Sequence, residues 1–282
     1  GQCLPPRKME NMTNTYRRAL TIAGSDPSGG AGIQADLKTF SALGCYGMSA
    51  IVAVVDENTV GVTGVHPVPV DFVTGQIHSC LDDIGADAIK IGMLHSAELI
   101  RAVRQTLDQY PEITNIVLDP VMVATSGDPL LEADAVATLR EVLIPRARVI
   151  TPNIPEAEIL AGCKINSQDE LPQFAKRLSE SCGGVSVLLK AGHLHDDELI
   201  DIFYNAETGQ TLPLKSRRLA TANTHGTGCT LSSAFAAYLA KGFGLDEAAK
   251  AAKDYIAAAI EAGSRYKIGH GHGPVHHFHN WW

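Results

Sequence analysis

The stretch ALTIAGSDPSGGAGIQADLKTFSALG, residues 19–44, decides the fold. It opens on Ala19–Ala23, an apolar run of strand length. Four glycines follow within residues 23–36, and then Ile33, Leu37, Phe40 and Leu43 fall at i, i+4, i+7 and i+10, a helical stripe that Gly44 ends with a left-handed stop. Strand, glycine-rich loop and helix make the first half of a right-handed crossover. Apolar runs of the same kind recur at Met48–Val55, Ala88–Ile91, Asn115–Leu118, Arg148–Thr151 and Val185–Leu189, with helix-period segments between them. Most are continuous rather than alternating, as in strands covered on both faces of a parallel sheet. After Lys190 the pattern changes: Leu199–Tyr204 and Gln210–Leu214 follow each other with no helix between, which reads as an antiparallel hairpin at one sheet edge. Two alanine-rich helices close the chain, about Thr227–Lys241 and Asp246–Tyr266. The expected fold is α/β, a mostly parallel sheet between two helical layers.

Residues 1–18 mix Pro, Asn, Thr and charge without periodicity and read as a flexible N-terminal leader. No composition break or repeat divides residues 19–282, which are expected to form a single domain. With 282 residues, 45% of them hydrophobic, a continuous core is available. The net charge of −8, with both signs mixed along the chain, offers no positive field for nucleic acid, so a small-molecule partner is expected. No apolar stretch approaches the roughly 20 residues that cross a bilayer. Six scattered cysteines without CxxC spacing, and no secretory signal, read as free thiols in a reducing cytoplasm.

In open sheets of this kind ligands collect beyond the C-terminal strand ends. The unusual loops all lie there: AGSDPSGGAGIQAD (23–36), VVDENT (54–59), KIGML (90–94), LDPVM (118–122), TPNIPEAE (151–158) and LLKAGH (188–193). Taken singly, each also reads as a turn or cap; together on one sheet edge they point to a site. Neither a dinucleotide GxGxxG nor a Walker GxxxxGK[ST] pattern is present, which speaks against a dehydrogenase. By its position alone, Asp36 reads as a solvated or dipole-compensating carboxylate in the first turns of a helix. In THGTGCT (224–230), Gly226, Thr227 and Gly228 free backbone amides at the mouth of a helix, an anion cradle. The same dipole would bring the Cys229 thiol from about 8.5 towards neutrality. If the anion is a transferring phosphoryl group, Lys190 can neutralise its oxygens, and Asp119, Asn153 and Glu156 offer hard oxygens to Mg²⁺. Cys229 would then orient a substrate hydroxyl and accept its proton late.

The segments AGSDPSGGAGIQADLKTFSALG (23–44), TPNIPEAE, NTHGTGCT (223–230) and GPVHHFHNWW (273–282) closely resemble the hydroxymethylpyrimidine/phosphomethylpyrimidine kinases, the thiamine-biosynthesis branch of the ribokinase-like superfamily. The resemblance runs from Ala19 to Trp282 and implies a three-layer α/β/α sandwich. It implies ATP-dependent phosphorylation of 4-amino-5-hydroxymethyl-2-methylpyrimidine, and then of that monophosphate to the diphosphate. It places Gly226–Cys229 at the anion hole and Gly24, Ala31, Asp36, Glu57, Met93 and Val121 at the pyrimidine pocket; Lys190, Asn153 and Thr227 are the residues expected at ATP. A homodimer is a further implication. The resemblance admits Gln as well as Glu at position 57; a carboxylate can only accept, whereas an amide also donates, so the pocket's hydrogen-bond pattern stays open. A pyridoxal kinase of the same fold is the nearest alternative, and a non-catalytic vitamin-binding protein on that fold is another. The resemblance accounts for His276, His277 and His279 as part of a family tail, in preference to a metal site.

Overall fold

The computed structural model describes residues 14–124, 126–191 and 198–282. Most of the proposed leader, residues 1–13, and the last two residues of the 188–193 loop lie outside the described residues. The first strand begins at Arg18, the last residue of the stretch expected to be leader. That arginine is held by Asp87, whose carboxylate accepts from its backbone N–H at 2.8 Å and from Nη2 at 3.0 Å.

The described chain runs β1 (Arg18–Ala23), α1 (Gly32–Ala42), β2 (Tyr46–Ile51), β3 (Ala53–Glu57), β4 (Val62–Pro67), α2 (Val70–Asp83), β5 (Ala88–Ile91), α3 (Ala97–Leu107), β6 (Ile116–Leu118), α4 (Ala135–Thr138), β7 (Val149–Ile150), α5 (Ile154–Ala161), α6 (Leu171–Ser181), β8 (Ser186–Leu189), β9 (Glu198–Asn205), β10 (Gln210–Arg217), α7 (Thr227–Ala240) and α8 (Leu245–Gly263). Eight strands form one sheet in the order β10-β9-β8-β7-β6-β5-β1-β2. From β2 to β8 every neighbouring pair is parallel, and β9 and β10 add the antiparallel hairpin at the edge.

Side chains alternate across the sheet as the strand pleat requires. On β1, Leu20 and Ile22 join the core under α2, α3 and α6, whereas Ala19 points to the opposite core with Phe40 of α1 and the alanines of α7 and α8. On β5, Ile89 and Ile91 take the first side and Ala88 the second. Small residues on α7 and α8 let both helices approach closely, and α7 lies over β1, β5 and β6, which aims its N-terminus at their C-terminal ends.

The expected single strand Met48–Val55 is two strands. β2 stays in the main sheet, the Val52 and Ser25 amides donate to Ala23 and Ala53, and β3 leaves to pair with β4 in a separate two-stranded sheet. Half of β3 faces solvent, so its interior side alternates, and the apolar run that looked continuous crosses from one sheet into another. VVDENT is accordingly the end of β3 and its turn rather than a loop, and this carries Glu57 over the strand ends of the main sheet.

Candidate active site

Two glycine loops meet above the sheet. After β1, Asp26 is fully buried and gathers the loop around itself: its carboxylate accepts from the Ser28 amide and hydroxyl at 2.8 and 2.7 Å and from the Gly30 and Ala31 amides at 2.9 and 2.7 Å. His225 Nε2 lies 2.9 Å from the same carboxylate, tying this loop to the one that precedes α7. Burial works against the Asp26 carboxylate, but hydrogen bonds from His225, Ser28 and Ala31 outweigh it and hold its pKa down to about 2. The two loops touch at backbone level. Gly226 has φ +76°, and a Cβ there would stand 1.7 Å from the Gly30 carbonyl oxygen.

Gly226 is the N-cap of α7 and supplies no side chain to its first amides, so the helix opens towards the strand ends with its dipole unmasked. Facing it, a Cβ on Gly228 would lie 3.2 Å from Lys190 Nζ and 3.5 Å from Asp119 Oδ2. Lys190 Nζ is 3.4 Å from Asp119 Oδ1, which also accepts from the Thr151 hydroxyl at 3.2 Å. Burial opposes the Lys190 ammonium, yet Asp119 and Glu156 more than offset it and raise its pKa. Amides, ammonium and carboxylates from β6, β7, β8 and α7 thus converge on one space.

The expectation for Cys229 is corrected by its surroundings. Its thiol is not drawn towards neutrality: burial pushes it up to about 11, with Lys90 opposing and Asp36 and Asp119 reinforcing the rise, while the Gly32 amide donates to the sulfur. Desolvation outweighs the pull of Lys90, so the resting group is a thiol, on a residue that keeps part of its surface in solvent. Asp36 is corrected too. Far from being solvated, it is fully buried, and its two oxygens take Lys90 Nζ at 2.9 Å each, Thr21 Oγ1 at 2.6 Å and Ser233 Oγ at 2.5 Å. Its carboxylate is spent inside the protein and shapes the floor beneath Cys229.

Asn153 and Glu156 also carry a structural duty. They form the reciprocal cap of α5: Asn153 Oδ1 accepts from the Glu156 amide at 2.9 Å, and Glu156 Oε1 accepts from the Asn153 amide at 3.0 Å. Asn153 Oδ1 accepts this one hydrogen bond and keeps a second lone pair. Among the described residues no three His, Cys, Asp or Glu side chains converge as a metal cage. Two carboxylates remain, and burial together with Asp119 raises Glu156 to about pKa 7, against the pull of Lys190.

The pocket side is built around Met93. A Cβ on Gly24 would stand 2.5 Å from Met93 Cε and 3.6 Å from Val55 Cγ2, so the glycine makes room for both side chains. Ala31 borders Gly226, and Val121 follows Asp119 in a turn closed by a 2.8 Å bond between their backbones. Glu57 reaches in from β3, with Oε1 3.9 Å from His225 Nε2. Burial, helped by Asp26 and Asp128 and opposed by His225, raises the Glu57 carboxyl to about pKa 7. The tail closes the back of the site: the His225 amide donates to the Gly273 carbonyl at 3.0 Å, and His277 Nε2 lies 2.9 Å from Thr230 Oγ1.

Asp26, His225 and Lys90 were not singled out by sequence reasoning. The last carried a signal, a charge inside the apolar run AIKI; it is fully buried on the face shared with α1 and α7. For Asp26 the following Pro-Ser-Gly-Gly marks an Asx-type turn, a shape that side chain is suited to organise.

A family model described as phosphomethylpyrimidine kinase matches residues 26–276, nearly the whole of the described fold. The chain belongs to this family. It is 51% identical over 265 residues to the hydroxymethylpyrimidine/phosphomethylpyrimidine kinase of Rhizobium meliloti, covering 94% of this chain and 98% of that one. The crystal structure of phosphomethylpyrimidine kinase from Clostridium difficile is 42% identical, with a TM-score of 0.75, over 86% of this chain and 99% of that one. An ADP complex of Bacillus subtilis pyridoxal kinase superposes with a TM-score of 0.84 at 38% identity, over 93% of this chain and 98% of that one. The expected α/β/α fold of the ribokinase-like type and the expected phosphotransferase class both hold.

Proposed function

We propose that the protein transfers the γ-phosphoryl group of ATP to 4-amino-5-hydroxymethyl-2-methylpyrimidine and then to the resulting monophosphate, in thiamine biosynthesis. The observation that carries this reading is the convergence of the uncapped α7 N-terminus, Lys190 and Asp119 on one space. Gly226 and Gly228 offer amides to the transferring group, whereas the expected third amide, of Thr227, is taken by the Thr224 carbonyl at 3.2 Å; Lys190 neutralises the group's oxygens without needing to give up a proton. Thr227 and Asn153 border the same space and are assigned to ATP.

The donor set suits Mg²⁺, which binds through one or two carboxylates plus substrate phosphates and keeps several waters. Asp119 Oδ2 and the Glu156 carboxyl, kept partly protonated by burial, are the groups such an ion would relieve, and Asn153 would serve by holding Glu156 in place. Bound there, the ion would shield charge between the β- and γ-phosphates.

Gly24, Ala31, Met93 and Val121 line the pyrimidine pocket, and Asp36 supports it from below. Glu57 can meet an aminopyrimidine edge as a protonated acid, donating to the ring nitrogen and accepting from the amine, as an amide would. Cys229 enters as a thiol whose sulfur accepts the substrate hydroxyl's hydrogen bond and aligns it. Its thiolate fraction, which grows with pH, can take the proton outright. Residues 19–282 are taken to act as one domain, in a homodimer. A cytoplasmic setting accords with the five free cysteines among the described residues. No helix among the described residues is long and apolar enough to cross a membrane.

Mass spectrometry after incubation with MgATP and the hydroxymethylpyrimidine tests the assignment. Both mono- and diphosphate are expected, with a higher kcat/KM for the pyrimidine than for pyridoxal. A preference for pyridoxal would turn the assignment to the alternative kinase.

A further inference from the structure

The α7–α8 side of the sheet is built mostly from small apolar residues, yet Lys253 of α8 lies buried in it with Asp201 of β9. Lys253 Nζ donates to Asp201 Oδ2 at 2.5 Å, and Asp201 Oδ1 accepts from the Ala191 backbone N–H at 2.8 Å. A buried pair of this kind is weak support for stability, because desolvating two charges offsets much of their attraction. What it touches is more informative. The β8–β9 ladder pairs Val187 with Tyr204, Leu188 with Phe203 and Leu189 with Ile202, and stops there. The chain then continues through Lys190 to Ala191, whose fully buried N–H must still find an acceptor. On its other flank Lys190 is held by its own amide, which donates to the Pro152 carbonyl at 2.9 Å. The Asp201 side chain therefore extends the ladder beyond its end, and α8 fixes that side chain through Lys253.

We propose that Asp201, oriented by Lys253, is a positioning residue for phosphoryl transfer: by holding the Ala191 amide it sets where Lys190 places its ammonium opposite Gly228. The proposal rests on the assignment of Lys190 to the transferring phosphate.

Two double variants isolate the contact. D201N/K253M and D201L/K253M both remove the buried charges, but only the asparagine keeps an acceptor for Ala191. The leucine variant is expected to show a kcat about 100-fold below the asparagine variant, as for a shift of about 1 Å in a catalytic group, with KM for the pyrimidine little changed. In a K190A background the difference between the two is expected to shrink to less than about three-fold, because residues acting as a unit are not additive. Equal kcat values, a loss confined to KM for the pyrimidine, or a difference that persists in K190A would each overturn the proposal. Full activity of K190A alone would instead remove the Lys190 assignment and the proposal with it. Should the leucine variant fail to fold, D201E keeps both charges and moves the accepting oxygen by one methylene. A kcat about ten-fold lower is then expected, by the same sensitivity to placement, and an unchanged kcat refutes the idea.

Discussion

Replacing Gly226 by alanine tests whether the two glycine loops work as one cradle. The residue has φ +76°, which costs an alanine about 1 kcal/mol by itself. The larger effect is steric: the new Cβ would stand 1.7 Å from the Gly30 carbonyl oxygen, and real Cβ contacts stay above 3.0 Å, so the loops must part by about 1.3 Å. The Gly30 oxygen belongs to backbone held by Asp26, and the Cβ is fixed rigidly to the backbone at the start of α7, so no flexible side chain can absorb the shift. A displacement of that size at a phosphoryl cradle is expected to lower kcat about 100-fold for both phosphorylations, since both use the same cradle. G242A supplies the control, with φ +91° and nothing within 4 Å of the added carbon. It should lose only the backbone cost, read as a melting temperature a few degrees lower, and keep its kcat. The assay is ADP release with each substrate beside a thermal melt of each variant. If G226A keeps kcat within about three-fold of the parent and melts like G242A, the close approach of the loops has no catalytic role.

Three further outcomes are expected. C229A should depress the first phosphorylation by about 100-fold or more and the second, whose attacking phosphate oxygen is already ionised, far less. With the thiol pushed up to about 11, the first step of the parent should also speed up between about pH 7 and 9 and flatten in C229A; equal losses in single-turnover assays of both steps would count against the role. E57Q should reduce the dependence of stability on pH. The folded Glu57 carboxyl sits near 7, above its ordinary 4.5, so in that window the folded chain holds a proton that the unfolded chain releases, and stability falls as pH rises; melts across the window that show the same slope in E57Q and parent would refute this. K90M strands the Asp36 carboxylate in the core and should cost about 3–5 kcal/mol, measured by denaturant unfolding, whereas a loss under about 1 kcal/mol would show that the pair is not structurally required.

How much of this was legible in the amino-acid order follows from what each feature depends on. β1, the glycine loop and α1 announce themselves because the apolar period and the glycine positions are local properties of residues 19–44. The parallel core was readable from continuous apolar runs, and the edge hairpin from two runs with no helix between. The anion cradle at Gly226–Gly228 was likewise local, since the loop precedes its own helix. The β3–β4 sheet was not legible. The switch from one sheet to another falls at Val52 and Ala53 inside an unbroken apolar run, and it is decided by where the end of β1 accepts and donates hydrogen bonds.

Protonation states and shared side chains belong to the tertiary structure for the same reason: they depend on partners far away in the chain. Cys229 looked like a thiolate from its helix position, but burial, reinforced by Asp36 and Asp119 from two other segments, keeps its proton on. Asp26 and His225 are 199 residues apart and meet at 2.9 Å, a contact that no spacing rule encodes. The sequence by itself determined the element order, the strand-end location of the chemistry and the residue types available there, because those follow from periodicity and turn propensity. Only the packed chain decided which carboxylate is occupied, which thiol stays protonated and which lysine stays buried, because desolvation and charge pairing act through space rather than along the backbone.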